Sequence, residues 1–469
     1  MTGNLVSIRF MMLLLLAAPL WAQTGPDFVR ARDEAVRTLQ ELIRIDTSNP
    51  PGNETKAAEY LKAILDREGI ASEILALEPA RGNLVARLKG NGTKKPLLLM
   101  AHMDVVGVER DQWTVEPFAG LIQDGYVYGR GASDDKDDVA AMLQVLLLIH
   151  RQRTPLDRDV IFLAAAGEEG GSPVGVDYLV QHHWPKIEAE IALNEGGAIH
   201  MQDANVQYVG IQTAEKLPRG VRLVTRGVSG HGSVPRPDNP LARLGAAVAK
   251  VAEYQPPMRL NETTRAFFQR LARISPPEEA YLLTHLEDPA VQETLRSSTN
   301  RSHLTYNSMI RTSISPNIIR GGFRTNVIPA EAEAILDVRL LPGETREALV
   351  EELRRVINDP AVEVVPDLDW ASMPPSPVSR LDSELFRALE NAQARVFPDA
   401  VTLPTMSTGA TDSSHLRAKG VQAFGVGSVG TDADRGRVHG NDERLWIEGY
   451  GKFLELVYRA VVEVTASRQ

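Results

Sequence analysis

Three wholly apolar runs, 97–101, 160–165 and 191–193, are each followed closely by ionisable residues. His102 and Asp104 follow the first, Glu168 and Glu169 the second, and Glu195 the third. A run with no polar face must be buried on both sides, as in a sheet covered by helices front and back. Runs at 74–77 and 84–88 read as further strands. Helical spacing fills the intervals at 27–45, 53–69 and 139–150; the first carries Phe28, Ala31, Ala35, Leu39, Leu42 and Ile43 on one side. The pattern predicts an α/β fold with helices on both faces of its sheet. Ligand sites in such sheets gather at the carboxyl ends of the strands, where these ionisable residues fall.

The texture changes near Lys216. An alternating strand at 221–225 and an alanine-rich helix at 240–254 come first. Polar helical material follows at 259–300, then a strand pair at 322–328 and 332–341 and a helix at 344–357. Pro374, Pro375 and Pro377 mark a hinge. The α/β pattern then resumes and ends on a helix at about 442–464. With 469 residues the chain exceeds one ordinary core. It divides into one unit made of 27–216 and 376–469, interrupted by an inserted α+β lid at 217–375.

The leader differs from the rest. Arg9, an apolar run at 10–20 and a small residue at Ala22 read as a signal peptide cut after Ala22, which implies a periplasmic or secreted protein. A net charge of −10 argues against a nucleic-acid partner, and no later stretch reads as a membrane span. With no cysteine present, thiolate ligands and thiol catalysis are excluded, so any metal must rest on histidine and carboxylates.

His102 and Asp104 are spaced to share one face, so Asp104 could take the spare ring N–H of His102 and fix it as a ligand. Asp134 and Asp135 stand side by side after Gly129-Arg130-Gly131 and suit cations. Asp137 and Asp138 read as acids favoured by a helix N-terminus. Glu168 and Glu169 would be costly to bury unpaired, and a cation offsets that cost. One could ligate while the other works on a bound water. Glu195 and His439 complete the set. Taken singly, each reads as well as a satisfied polar residue or a cap.

Eight motifs in order give a resemblance: His102-x-Asp104, Gly129-Arg130-Gly131-x-x-Asp134, Gly167-Glu168-Glu169-Gly170, Asn194-Glu195-Gly196-Gly197, Gly230-His231-Gly232-Ser233, Asn326-Val327-Ile328-Pro329, Arg339-Leu340-Leu341-Pro342-Gly343 and His439-Gly440-x-x-Glu443. The chain resembles the dinuclear zinc family that contains aminoacylase, carboxypeptidase S, glutamate carboxypeptidase, carnosine dipeptidases and succinyl-diaminopimelate desuccinylase. The resemblance implies a zinc-peptidase-like mixed sheet and two Zn2+ per subunit, with cobalt or manganese as alternatives. It places His102, Asp134 and Glu195 on one ion and Asp134, Glu169 and His439 on the other. Glu168 becomes general base and then acid, Asp104 supports the ligands, and the Asp134–Asp135 peptide is expected to be cis. His231 of the lid stabilises the oxyanion. Asn326 and Arg339 meet the polar end of the substrate, and Gly409, Ala410 and Thr411 line its pocket.

The chain departs from the family at Lys136-Asp137, where lysine-glycine is usual, and in an extra lid segment near 259–305. The expected activity is hydrolysis of the amide bond of a small peptide or N-acyl amino acid with a free carboxylate, of carboxypeptidase or aminoacylase type. A dipeptidase is the alternative within the family, and a non-catalytic binding protein or a two-metal phosphodiesterase are alternatives outside that reading. The molecule is expected to be a monomer or a homodimer through the lid.

Overall fold

The computed structural model describes residues 25–170, 173–367 and 373–467. The leader expected at 1–22 lies outside the described residues.

A mixed ten-stranded sheet forms the larger body. From one edge the strands run Ser72–Ala76, Gly82–Leu88, Val160–Ala165, Leu97–His102, Ile191–Asn194, Gln422–Gly425, Asn205–Glu215, Ala198–Gln202 and Val429–Gly430, and Val401–Ser407 pairs with Asn205–Glu215. Its centre is parallel: Leu97–His102 runs with both Val160–Ala165 and Ile191–Asn194. The apolar runs are unbroken because alternate residues enter different cores. Leu97, Leu99 and Ala101 pack with the helices Phe28–Arg44, Glu54–Arg67, Lys136–Arg151, Glu384–Val396 and Ile447–Thr465. Leu98 and Met100 pack with Val176–His182 and Ser413–Ala418 on the other face. The helix Phe28–Arg44 begins where the Asp27 carboxylate accepts the Arg30 N–H at 3.0 Å.

The second sheet has five strands. Glu331–Leu340 is flanked on one side by Leu217–Pro218 and Val221–Arg226, and on the other by Ser313–Gly321; Val362–Pro366 lies beyond Val221–Arg226. Ala332, Ala334, Leu336, Val338 and Leu340 face the helices Pro240–Glu253 and Arg346–Ile357. The strand expected at 322–328 lies earlier in the chain. Residues 313–321 form the ladder, and Gly322 turns out of it with a φ of +71°. Only Val327–Ile328 remains extended, pairing with Gly230–His231.

Four helices, Glu262–Leu271, Pro277–Thr284, Pro289–Ser297 and Arg301–Met309, occupy the polar stretch. Their buried residues pack with Ala214, Leu403 and Met406 of the larger sheet. The final helix starts later than expected, at Ile447, because Arg444–Trp446 first pairs with Tyr126–Tyr128. Among the described residues no helix is long and apolar enough to cross a membrane.

Candidate dinuclear metal centre

His102 is the last residue of its strand and is 3% exposed. Its Nδ1 lies 3.0 Å from the backbone oxygen of Asp104 and 3.5 Å from the side-chain Oδ1. The backbone carbonyl, not the expected carboxylate, is therefore the nearer partner of the ring. A carbonyl can only accept, so Nδ1 carries a proton. In the neutral ring, Nε2 then presents a lone pair to Asp134 Oδ1 at 3.2 Å and Glu195 Oε1 at 3.9 Å. A lone pair facing two anionic oxygens calls for a proton or a cation between them. Burial alone would lower the His102 pKa, but Asp104 and Asp134 outweigh it and raise it well above the usual value.

The Asp104 carboxylate, completely buried, does different work. Its Oδ1 accepts the Glu168 N–H and its Oδ2 the Glu169 N–H, each at 3.1 Å, and Asn49 Nδ2 donates to Oδ2 at 2.8 Å. It thus fixes the backbone from which both glutamates project.

Asp134 stands at the meeting of two donor groups. Its Oδ1 faces His102, and its Oδ2 lies 3.0 Å from His439 Nε2, which is itself 2.8 Å from Glu169 Oε1. The ligand atoms of His102, Asp134 and Glu195 lie within 4.8 Å of one another, as do those of Asp134, Glu169 and His439. Each triplet offers one imidazole nitrogen and two carboxylate oxygens, a set suited to a borderline divalent cation. The Asp134–Asp135 peptide is cis.

Two segments far apart in the chain are clamped at this point. Arg130 Nη1 meets Glu443 Oε2 at 2.6 Å, and its Nη2 donates to Gly440 O at 2.8 Å. Glu443 also accepts N–H groups from Gly131 and Ser133. The loop carrying Asp134 is thereby tied to the loop carrying His439. Gly131, with a φ of +82°, allows close approach, since a Cβ there would lie 2.8 Å from Val105.

Negative charge is in excess. Burial, then repulsion from Glu195 and Asp412, drives the Glu168 carboxyl well above its ordinary range. Glu195 is pushed up to about 8 by burial and by Asp134 and Glu169, while His102 opposes the shift. Asp412 is pushed up to about 7, chiefly by burial. His439 rises to about 10 through its contacts with Asp134 and Glu169. Among the described residues the Glu168 side chain accepts no hydrogen bond, although its backbone N–H is held by Asp104.

Among the described residues the other expected residues share no hydrogen bond or ion pair with this cluster. His231 is exposed, and its ring bonds only to the backbone and hydroxyl of Ser233. The Asn326 backbone oxygen accepts from Gly232 N, and its side chain is exposed. Arg339 is paired with Asp337 through two contacts, at 2.8 and 3.3 Å. Gly409 N donates to Ser407 Oγ, Ala410 is half-buried, and Thr411 directs both its N–H and its hydroxyl to Glu215. Sequence reasoning missed Asp412, which directly follows those three and belongs electrostatically with Glu168 and Glu195. It also missed the clamp by Arg130, although Glu443 was visible in its motif. Asp137 and Asp138 stand in the first turn of the helix Lys136–Arg151, as read, and both are 2% exposed.

Comparison with known proteins places the chain in a family. The model of peptidase family M20/M25/M40 matches residues 98–463. The chain is 31% identical over 396 residues to a probable carboxypeptidase S-like 2 of Dictyostelium discoideum, covering 81% of this chain and 74% of that protein. It is 28% identical over 455 residues to a human N-fatty-acyl-amino acid synthase/hydrolase, covering 92% and 87%. A solved M20 family metallo-carboxypeptidase from Sulfolobus solfataricus superposes with a TM-score of 0.70 at 20% identity, covering 92% of this chain and 99% of that one. Human carnosine dipeptidase 1 superposes at 0.63 with 17% identity, covering 93% and 97%.

Proposed function

The chain belongs to peptidase family M20/M25/M40, a metal-dependent hydrolase family, and from that premise we propose that it cleaves the amide bond of N-acyl amino acids or small peptides bearing a free carboxylate. The observation that carries the reading is Asp134: each of its oxygens faces a different histidine, and an unengaged Glu168 stands alongside.

In this reading His102, Asp134 and Glu195 hold one Zn2+ and Asp134, Glu169 and His439 the other, with cobalt or manganese able to substitute. Bound there, such ions supply polarisation of the scissile carbonyl and lower the pKa of a nearby water. Glu168 takes a proton from that water as its oxygen attacks the carbonyl carbon. The C–N bond breaks, and Glu168 returns the proton to the leaving nitrogen. An elevated carboxyl pKa suits that second transfer. Asp104 keeps Glu168 and Glu169 pointed apart. His231 donates to the developing oxyanion once the lid closes. Arg339 meets the substrate carboxylate by exchanging it for Asp337, with Asn326 beside it. Gly409, Ala410 and Thr411 shape the pocket, the last through Glu215.

A cavity of about 290 Å³ opens beside Asp134 and Glu195. Its wall combines Ala198, Val426, Val429, Val438, Leu445 and Trp446 with the charged Asp434, Arg435 and Arg444. The preference for an N-acyl amino acid over a dipeptide rests on the name of the human relative.

The remaining parts of the proposal are organisational. Residues 27–216 with 376–469 act as the catalytic unit and 217–375 as the lid. Export to the periplasm or beyond follows cleavage after Ala22, with no nucleic-acid or membrane partner afterwards. Two copies pair through the lid along Ser313–Gly321, which among the described residues pairs on one side only.

The test is turnover of a panel of acyl amino acids and dipeptides against their methyl esters or amides. Free acids are expected to be strongly preferred, activity to vanish with a chelator, and zinc or cobalt to restore it. Equal rates on blocked substrates would remove Arg339 from the reading. Activity unaffected by thorough metal removal would remove the whole of it.

A further inference from the structure

The carboxylates of Asp135, Asp137 and Asp138 form a third acidic group, adjacent to the dinuclear centre but outside its ligands. One oxygen from each lies within 4.8 Å of the others, and all three residues are almost wholly buried. They open the helix Lys136–Arg151, yet the Asp135 side chain at its N-cap makes no capping hydrogen bond.

Their partners account for few of their oxygens. Asp135 Oδ2 accepts the His102 N–H at 3.0 Å, and Asp137 Oδ2 accepts the Ser428 hydroxyl at 2.5 Å. Among the described residues, Asp137 Oδ1 and both oxygens of Asp138 have no partner. Neighbouring donors point elsewhere. Lys136 Nζ turns to Leu42 O and Ile45 O, each at 2.9 Å, and the Tyr450 hydroxyl donates to the backbone oxygen of Asp137. Asp135, Asp137 and Asp138 also border the 290 Å³ cavity. Buried carboxylates without donors are the arrangement that a cation relieves.

We infer that Asp135, Asp137 and Asp138 hold a third cation, a calcium-like ion of hard character, separate from the pair on Asp134. The donor set is all oxygen, with no imidazole or thiolate to favour zinc. Such an all-oxygen set suits a hard divalent cation, and calcium tolerates the irregular geometry of carboxylates supplied by one short segment. The ion is completed by water from the cavity and neutralises charge that neither Lys136 nor the dinuclear pair reaches.

The experiment uses the full chain loaded with zinc, equilibrated with calcium, and assayed by elemental analysis. Two zinc and one calcium per chain are expected, with Tm rising by about 2–4 °C between micromolar and millimolar calcium. D138N and, separately, D137N keep both zinc ions but lose the calcium and the Tm response. Crystals of the zinc-loaded protein soaked in manganese are expected to show an anomalous peak between the carboxylates of Asp137 and Asp138. Two zinc with no calcium and a flat Tm overturn the inference, as does calcium retained at full stoichiometry in D138N. Should both variants fail to fold, the anomalous map of the unsubstituted protein decides, and absence of the peak overturns it.

Discussion

Glu168 and Glu169 share a backbone anchor and differ in what their side chains meet. Both N–H groups are held by Asp104, but only Glu169 reaches His439. In the proposed mechanism this separates proton transfer from metal retention. E168Q is expected to lower kcat by about 10²- to 10⁴-fold while leaving the metal content unchanged, as measured by steady-state kinetics and elemental analysis. The Arg130–Glu443 pair makes a different prediction. Both side chains are almost completely buried, and Arg130 also lies over the Trp113 ring. R130M leaves Glu443 a buried charge without its counterion, and urea denaturation is expected to show a loss of about 3–5 kcal/mol. The residues proposed as metal ligands were legible only as a set, through the order of eight motifs that resemble a known family, since each one singly read as well as a satisfied polar residue. The partners of Asp104, Arg339 and Thr411 were not. Whether Asp104 serves a ring or two amide groups, and whether Arg339 is already paired with Asp337, depends on contacts that spacing does not encode.

At the scale of elements, three helices on one face are joined by Arg151. Its Nη1 reaches Glu34 at 2.5 Å on the first helix, and its Nη2 reaches Glu68 at 2.6 Å just after the second. Burial pulls the Glu34 pKa up, but Arg151, Gln144 and Arg30 outweigh it and hold it down to about 2 from 4.5. A carboxyl depressed in the folded state stabilises fully above its unfolded value and loses that contribution as pH falls. R151M is therefore expected to reduce stability by about 1 kcal/mol at neutral pH, after allowance for solvent contact. The difference from the parent should vanish as pH falls from 4.5 towards 2, as followed by denaturant melts across that range. Helices and central strands were legible to within a few residues because their periodicities are strong. The strand Ser313–Gly321 was not, since Pro316, Asn317 and a register shift interrupt its alternation. Nor could the sequence show that the helices 262–309 lean on Val401–Ser407, because that contact joins segments far apart in the chain.

At the scale of the molecule, the edge of Ser313–Gly321 that is unpaired among the described residues and the exposed side chains of Ile319 and Phe323 form the face proposed for pairing two copies. Sedimentation is expected to show a dimer for the parent and a monomer for F323E combined with I319E; a monomeric parent would remove pairing from the proposal. The order of strands in the larger sheet has a further consequence. Gln422–Gly425 lies between Ile191–Asn194 and Asn205–Glu215, so the middle of the sheet waits for a segment near the far end of the chain. His439 arrives later still. A polypeptide that stops before that point lacks the Gln422–Gly425 ladder and the last imidazole, so such truncated products are expected to be inert. The two halves of the metal cluster therefore meet only after some three hundred further residues have been added to the strand that ends at His102.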